Sequence, residues 1–192
     1  MKFILLMSVL FLAGCGSVAT PDSHYYRLEE LINPQSQSTL LQSDVSVSLF
    51  KLSGMLNNRN LLFTTEDRPN EVVPLHYHLW HDALGNILTR QFIDYLKLSA
   101  GKHQVSAYRY TSVDGLHVVV TLERMEIRYA DDSRLHVKLN ARIINSKGSV
   151  LLDKDYENSE VSESSDIYQL VSRYNAVLRK TYHQLLEDLV TL

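Results

Sequence analysis

The stretch "LHYHLWHDAL" (75–84) places three histidines, His76, His78 and His81, around the single tryptophan of the chain, Trp80. Three imidazoles are a sufficient donor set for zinc or copper(II). On an alternating strand His76 and His78 share a face, and His81, just beyond, can swing toward them. No carboxylate partner is set by the spacing except Asp82, which equally suits the start of a helix, where negative charge meets the positive end of the dipole. The same imidazoles also fit a strand–helix junction, whose unpaired backbone N–H groups need polar company. Two readings therefore stand side by side, a three-histidine metal site and a structural hinge. The second is adopted here, with no metal or cofactor assigned and His76, His78 and His81 kept as the candidate ligands.

Other chemistry is harder to find. There is no GxSxG elbow, HExxH, Walker loop or CxxC. The glycines beyond the amino-terminal segment are scattered, so no phosphate-cradling loop forms. Carboxylates in "ADDSR" and "LLDKDYEN" fall at turns and on polar strand faces, and Glu123, Arg124, Glu126 and Arg128 have the look of an outer strand face with cross-strand charge pairs. With 19 Lys and Arg against 22 Asp and Glu, the net charge is −3, and no like-charged block supports nucleic-acid binding. No enzymatic activity is expected.

The elements that must position these residues follow from periodicity. "DVSVSLFKL" (44–52), "NLLFTT" (60–65) and "EVVPLHYH" (71–78) read as strands, with Pro74 favouring an edge or a bulge. From Trp80 to Leu98 the period changes, and Trp80, Leu84, Ile87, Leu88, Phe92, Tyr95 and Leu96 recur at three and four, as on one helix face. Gly85 is out of place there, costing about 1 kcal/mol relative to alanine, and close packing on the sheet is one reason to keep it. "HQVSAYRY" (103–110) is a short strand, and Asp114-Gly115 a turn. "LHVVVTLERMEIRYA" (116–130) is a long strand whose phase slips, which a bulge near Glu123–Arg124 would repair. "RLHVKLNARI" (134–143) alternates without fault, and Lys147-Gly148 turns the chain into "SVLLDKDYENSEV". A helix begins near Asp166, with Ser164 or Ser165 as N-cap and an apolar face of Ile167, Leu170, Val171, Tyr174, Val177, Leu178, Leu185 and Leu189. The order strands–helix–strands–helix predicts an α+β fold, a two-layer sandwich of a mainly antiparallel sheet and two amphipathic helices.

The amino terminus sets the location. "MKFILLMSVLFLAGC" has one basic residue, an apolar run and small residues before a cysteine, the layout of a secretory signal too short to span a bilayer. "LAGC" resembles a bacterial lipobox. The resemblance implies a signal peptide over 1–14, cleavage before Cys15, diacylation of its thiol and acylation of the new amino terminus. As Cys15 is the only cysteine, the exported domain would have no thiol for a disulfide or a thiolate metal ligand. Gly16 stands where inner-membrane lipoproteins usually carry aspartate, which favours the outer membrane. Residues 15–24 form a polar tether that reaches roughly 30 Å when extended, leaving 25–192 as a single periplasmic domain of a size to bury roughly 70% of its unfolded surface.

"HYHLWHDAL" resembles the H-x-W-x-x-x-L region of the ABC-type transport auxiliary lipoproteins of the PqiC (YmbA) family, with His78, Trp80 and Leu84 at the signature positions. "YYRLEE" after the tether, "VSVSLFKLSGMLNNRNLLF" before the helix and "YQLVSRYNAVLRKTYHQLLEDL" at the end follow in the family's order. The family's proline-containing stretch before Arg59 is here "LSGMLNNR", without the proline, and the proline near Ala83 is also missing. The resemblance implies a non-enzymatic lipoprotein on the periplasmic face of the outer membrane, forming ring-like homo-oligomers and docking MCE-domain proteins that carry lipid between membranes. Two rivals remain: a periplasmic metal-binding lipoprotein using His76, His78 and His81, and an outer-membrane assembly factor.

Overall fold

The computed structural model describes residues 21–31, 40–109 and 114–192; Cys15, the signal segment before it and the tether up to residue 20 lie outside them. The chain runs β1 (His24–Tyr26), β2 (Val45–Val47), β3 (Lys51–Leu52), a 3-10 turn (Gly54–Asn57), β4 (Asn60–Thr65), β5 (Val73–Trp80), α1 (Leu84–Lys97), β6 (Val105–Ala107), β7 (Leu116–Tyr129), β8 (Ser133–Ile144), β9 (Val150–Ser162) and α2 (Ile167–Val190).

β7 is the spine of the sheet. Along one edge it pairs with β8, which pairs with β9, both antiparallel. The register shifts between Leu122 and Arg124, the bulge that the phase slip requires, and Val118, Val120, Leu122, Met125 and Ile127 all reach the core. Along its other edge β7 takes three short strands in succession, all parallel: Val45 opposite Leu116, Lys51 opposite Thr121 and Phe63 opposite Ile127. β5 joins β4 antiparallel, β1 joins β5 parallel, and β6 joins β2 parallel. Antiparallel pairing thus holds for the hairpins, whereas the connections through α1 return strands in parallel. The architecture is α+β with two helices and a curled sheet of mixed orientation.

The expected strand over 44–52 is broken in two, for a reason located at Gly85. Ser48 and Ser53 still donate to the Val118 and Leu122 carbonyls, but between them Leu49 is exposed and Phe50 turns into the core. The Phe50 N–H donates to Thr89 Oγ1 at 2.8 Å, and that hydroxyl donates to the Gly85 carbonyl at 2.6 Å. A Cβ on Gly85 would sit 2.9 Å from the Phe50 carbonyl oxygen. The helix glycine is therefore a close-approach residue, as anticipated.

Helix boundaries shift from the periodic reading. Trp80 ends β5 rather than opening α1, which starts at Leu84; Asp82 precedes the helix and accepts the Ala83 N–H at 2.7 Å. Trp80 shares the period of the helix because strand end and helix face the same core. α2 is capped by Asp166, whose side chain accepts the Gln169 N–H, not by Ser164 or Ser165. Ser164 Oγ is already engaged by the Asp166 N–H. The apolar face of α2 is as read, with Leu170, Val171, Tyr174, Val177, Leu178, Leu185 and Leu189 buried. No described helix is long and apolar enough to cross a membrane.

Candidate functional site

The histidine-rich stretch lies where β5 hands over to α1, and a strand from the end of the tether lies against it. β1 pairs in parallel with β5, His24 opposite His78, Tyr25 opposite Leu79 and Tyr26 opposite Trp80. His78 is sandwiched by its neighbours. Its ring stacks on His24 at 5.1 Å between centroids and 14° between planes, and on Tyr26 at 5.8 Å and 24°. The Tyr26 hydroxyl lies 2.8 Å from His78 Nδ1. Burial, then the proximity of His24, holds the His78 imidazole below its ordinary pKa, so the neutral ring accepts from the Tyr26 hydroxyl. Burial also raises the Tyr26 phenol, with Asp166 adding to the effect.

His81 plays a different part. Its backbone N–H donates to the Tyr26 carbonyl at 2.8 Å, and its Nδ1 donates to the same oxygen at 3.2 Å. His76 is exposed. The three histidines of the motif are thus not gathered, and among the described residues no group of three His, Cys, Asp or Glu side chains could hold a metal ion. The imidazole that His78 meets is His24, some fifty residues earlier. Periodicity could not find it, because β1 is three residues long and exists only as a partner of β5.

Trp80 anchors the junction to the core. It is 2% exposed, and its ring meets Tyr174 of α2 at 6.0 Å. Its backbone N–H donates to the Arg59 carbonyl at 2.7 Å. The Arg59 side chain returns the contact: Nε and an η nitrogen reach the Trp80 carbonyl at 3.0 and 2.7 Å, and that η nitrogen reaches the His81 carbonyl at 2.6 Å. A planar guanidinium suits two adjacent carbonyls at the end of a strand. Its carbon also lies 5.8 Å from the Tyr25 ring centroid. Arg59 therefore ties together β4, the β5–α1 turn and β1. Leu84, the last signature position, is 2% exposed and seats the first turn of α1.

Beyond β1 the chain continues between the helices. Gln91 of α1 donates to the Glu29 carbonyl at 2.7 Å and to Asn175 of α2 at 3.2 Å. One open cavity of about 660 Å³ lies between residues 27–31 and α1. A second, of about 530 Å³, lies between residues 24–29 and α2, where Tyr25 and Tyr168 both line it. Residues 24–31 form a strap that runs alongside both helices. A Ser–His hydrogen bond exists elsewhere, Ser48 Oγ to His117 Nε2 at 2.8 Å, but among the described residues no carboxylate orients the other nitrogen as a catalytic triad would need.

A family model described as "ABC-type transport auxiliary lipoprotein component" matches residues 26–185. Among solved structures, protein XCC0632 from Xanthomonas campestris superposes with a TM-score of 0.74 at 16% identity, covering 88% of this chain and 95% of that one. A second crystal structure, of an uncharacterized protein, gives 0.69 at 14% identity over 88% and 99% of the two chains. At such identities these two likenesses speak for the fold alone. No curated protein matches.

Proposed function

This chain belongs to the ABC-type transport auxiliary lipoprotein family, and from that premise we propose that it is a non-enzymatic component of an intermembrane lipid transport system, anchored through Cys15 to the periplasmic face of the outer membrane. Cleavage before Cys15 leaves a single domain over 25–192. Each buried acyl methylene contributes roughly 0.8 kcal/mol, so two or three chains hold the protein on the bilayer stably. Gly16 supports the outer membrane as the destination. The domain docks a periplasm-spanning MCE-domain protein and assembles with copies of itself into a ring.

The observation that carries this reading is the family match over 26–185 directly behind a lipobox in the same chain. The arrangement lends a metal-handling role little support, since His78 meets His24 and Tyr26 and His81 meets the Tyr26 carbonyl. The test is purification of the full-length protein from gently solubilised membranes beside a Cys15→Ala form, with co-purifying proteins identified by mass spectrometry. An MCE-domain protein recovered with the lipidated form is the expected result. Recovery of outer-membrane assembly proteins, or of the lipoprotein alone, contradicts the transport role.

A further inference from the structure

Two tyrosines stand out from the surface where the tether enters the fold. Tyr25 is 62% exposed and Tyr168 is 71% exposed, the largest exposures among the large apolar and aromatic side chains of the described residues. They come from opposite walls of one cavity, Tyr25 from β1 and Tyr168 from the first turn of α2, with Arg27 beside them and Arg59 over the Tyr25 ring. Singly exposed aromatics are ordinary on protein surfaces, but two of the most exposed rings on one cavity form a patch. Tyrosine is favoured at a membrane surface, where the ring enters the headgroup layer and the hydroxyl stays hydrated. Arg27 on the same cavity can meet a lipid phosphate.

The chain itself says which surface is close enough. His24 opens β1 only nine positions after Cys15, a span of roughly 30 Å even when fully extended. The start of β1 therefore never lies farther than about that reach from the bilayer, and Tyr25 is the next residue along. We infer that the face formed by Tyr25, Tyr168 and the cavity between them rests on the lipid headgroup layer, so that the domain has a fixed orientation on its membrane rather than swinging from its anchor. This rests on the lipid anchor proposed above. The strap geometry makes the orientation transmissible: β1 is bonded to β5 and, through Arg59, to the β5–α1 turn, so a membrane contact at Tyr25 sets the attitude of the whole sheet.

The test uses full-length lipidated protein in phosphatidylethanolamine–phosphatidylglycerol vesicles. With Cys15 acylated, a cysteine introduced by Ser172→Cys on the same cavity is the only free thiol and takes a fluorophore. Lys147→Cys, on the exposed turn between β8 and β9, is the reference. Flotation reports the anchor independently. With flotation intact, a nitroxide on the lipid headgroup is expected to quench position 172 strongly and position 147 little. A Tyr25→Asp/Tyr168→Asp form should still float but lose the quenching at 172. Equal quenching at both positions, or quenching at 172 that survives the double substitution, overturns the inference. So does protection of 172 from aqueous iodide without lipid quenching, which would mean that protein covers the face. Loss of flotation by the lipidated wild type would instead overturn the anchor.

Discussion

The hairpin β7–β8–β9 and the strap-and-junction region β1–β5–α1 are built by opposite means. In the hairpin each strand runs for 12 to 14 residues, the buried positions of β7 and β8 are apolar apart from Ser133, and outer positions form a charge ladder: Lys138 bridges Glu123 at 2.7 Å and Asp155 at 3.1 Å, and Arg142 reaches Asp153 at 2.8 Å. Its partners are chain neighbours joined by turns. In the junction the pieces are short, the partners are tens of residues apart, and the contacts are single: one arginine, one imidazole stack, one buried indole. Redundancy makes the hairpin tolerant. The junction concentrates its stability in a few side chains, and β1, the first strand of the described chain, is one of its parts.

The comparison is broken most forcefully at Trp80. Replacing this buried indole by alanine is expected to cost about 3–5 kcal/mol, lowering the urea midpoint by more than any outer-face change in the hairpin. Gly85→Ala follows. Helix propensity alone would make it stabilising, but the new methyl meets the Phe50 carbonyl at 2.9 Å, and overpacking of about 1–3 kcal/mol wins. Thermal denaturation gives the sign, and a more stable variant would contradict the close approach.

Arg59→Ala removes a charged donor from the part-buried Trp80 carbonyl and the exposed His81 carbonyl, a cost of about 1.5 kcal/mol. Its signature is local: amide exchange at Trp80, His81 and the β1 residues should accelerate while β8 amides are unchanged. Acid should loosen the same strap by less. The His78 imidazole is held below its ordinary value by burial and by His24, so an undocked strap binds the proton more readily than a docked one. Docking is fully supported above about pH 6.5 and weakens as the pH falls below it. The protection factor of the Tyr26 amide, taken against the base-catalysed intrinsic rate at each pH, should fall in the wild type from pH 7.5 to 5.5 and stay flat in His78→Gln. Least of all is expected from Arg142→Ala, which breaks an ion pair exposed on both sides and costs roughly 0.2–1 kcal/mol. A larger loss there would remove the contrast between the two regions.

Legibility in the sequence follows the same division. β4 over 60–65, the bulge after Leu122, the alternation of β8 and the buried face of α2 were readable because each is long enough for its period to appear, and one face must be buried. The start of α1 was misplaced because Trp80 falls in phase with the helix while ending a strand. The break at Phe50 and the parallel pairings of β2, β3 and β4 depend on where α1 returns the chain, which no local pattern records. At the site, Trp80 and Leu84 were found by motif and are buried anchors, and the retained Arg59 proved to be a clamp. His24 was not found, since three residues have no period; only the neighbouring "YYRLEE" resemblance pointed at that segment.

Mass spectrometry of the amino-terminal peptide from membranes separated by density tests the proposed anchor at Cys15 most directly. The expected species begins at Cys15, carries two or three acyl chains and is recovered from the outer-membrane fraction. A chain that begins elsewhere, or an unmodified Cys15, would contradict it.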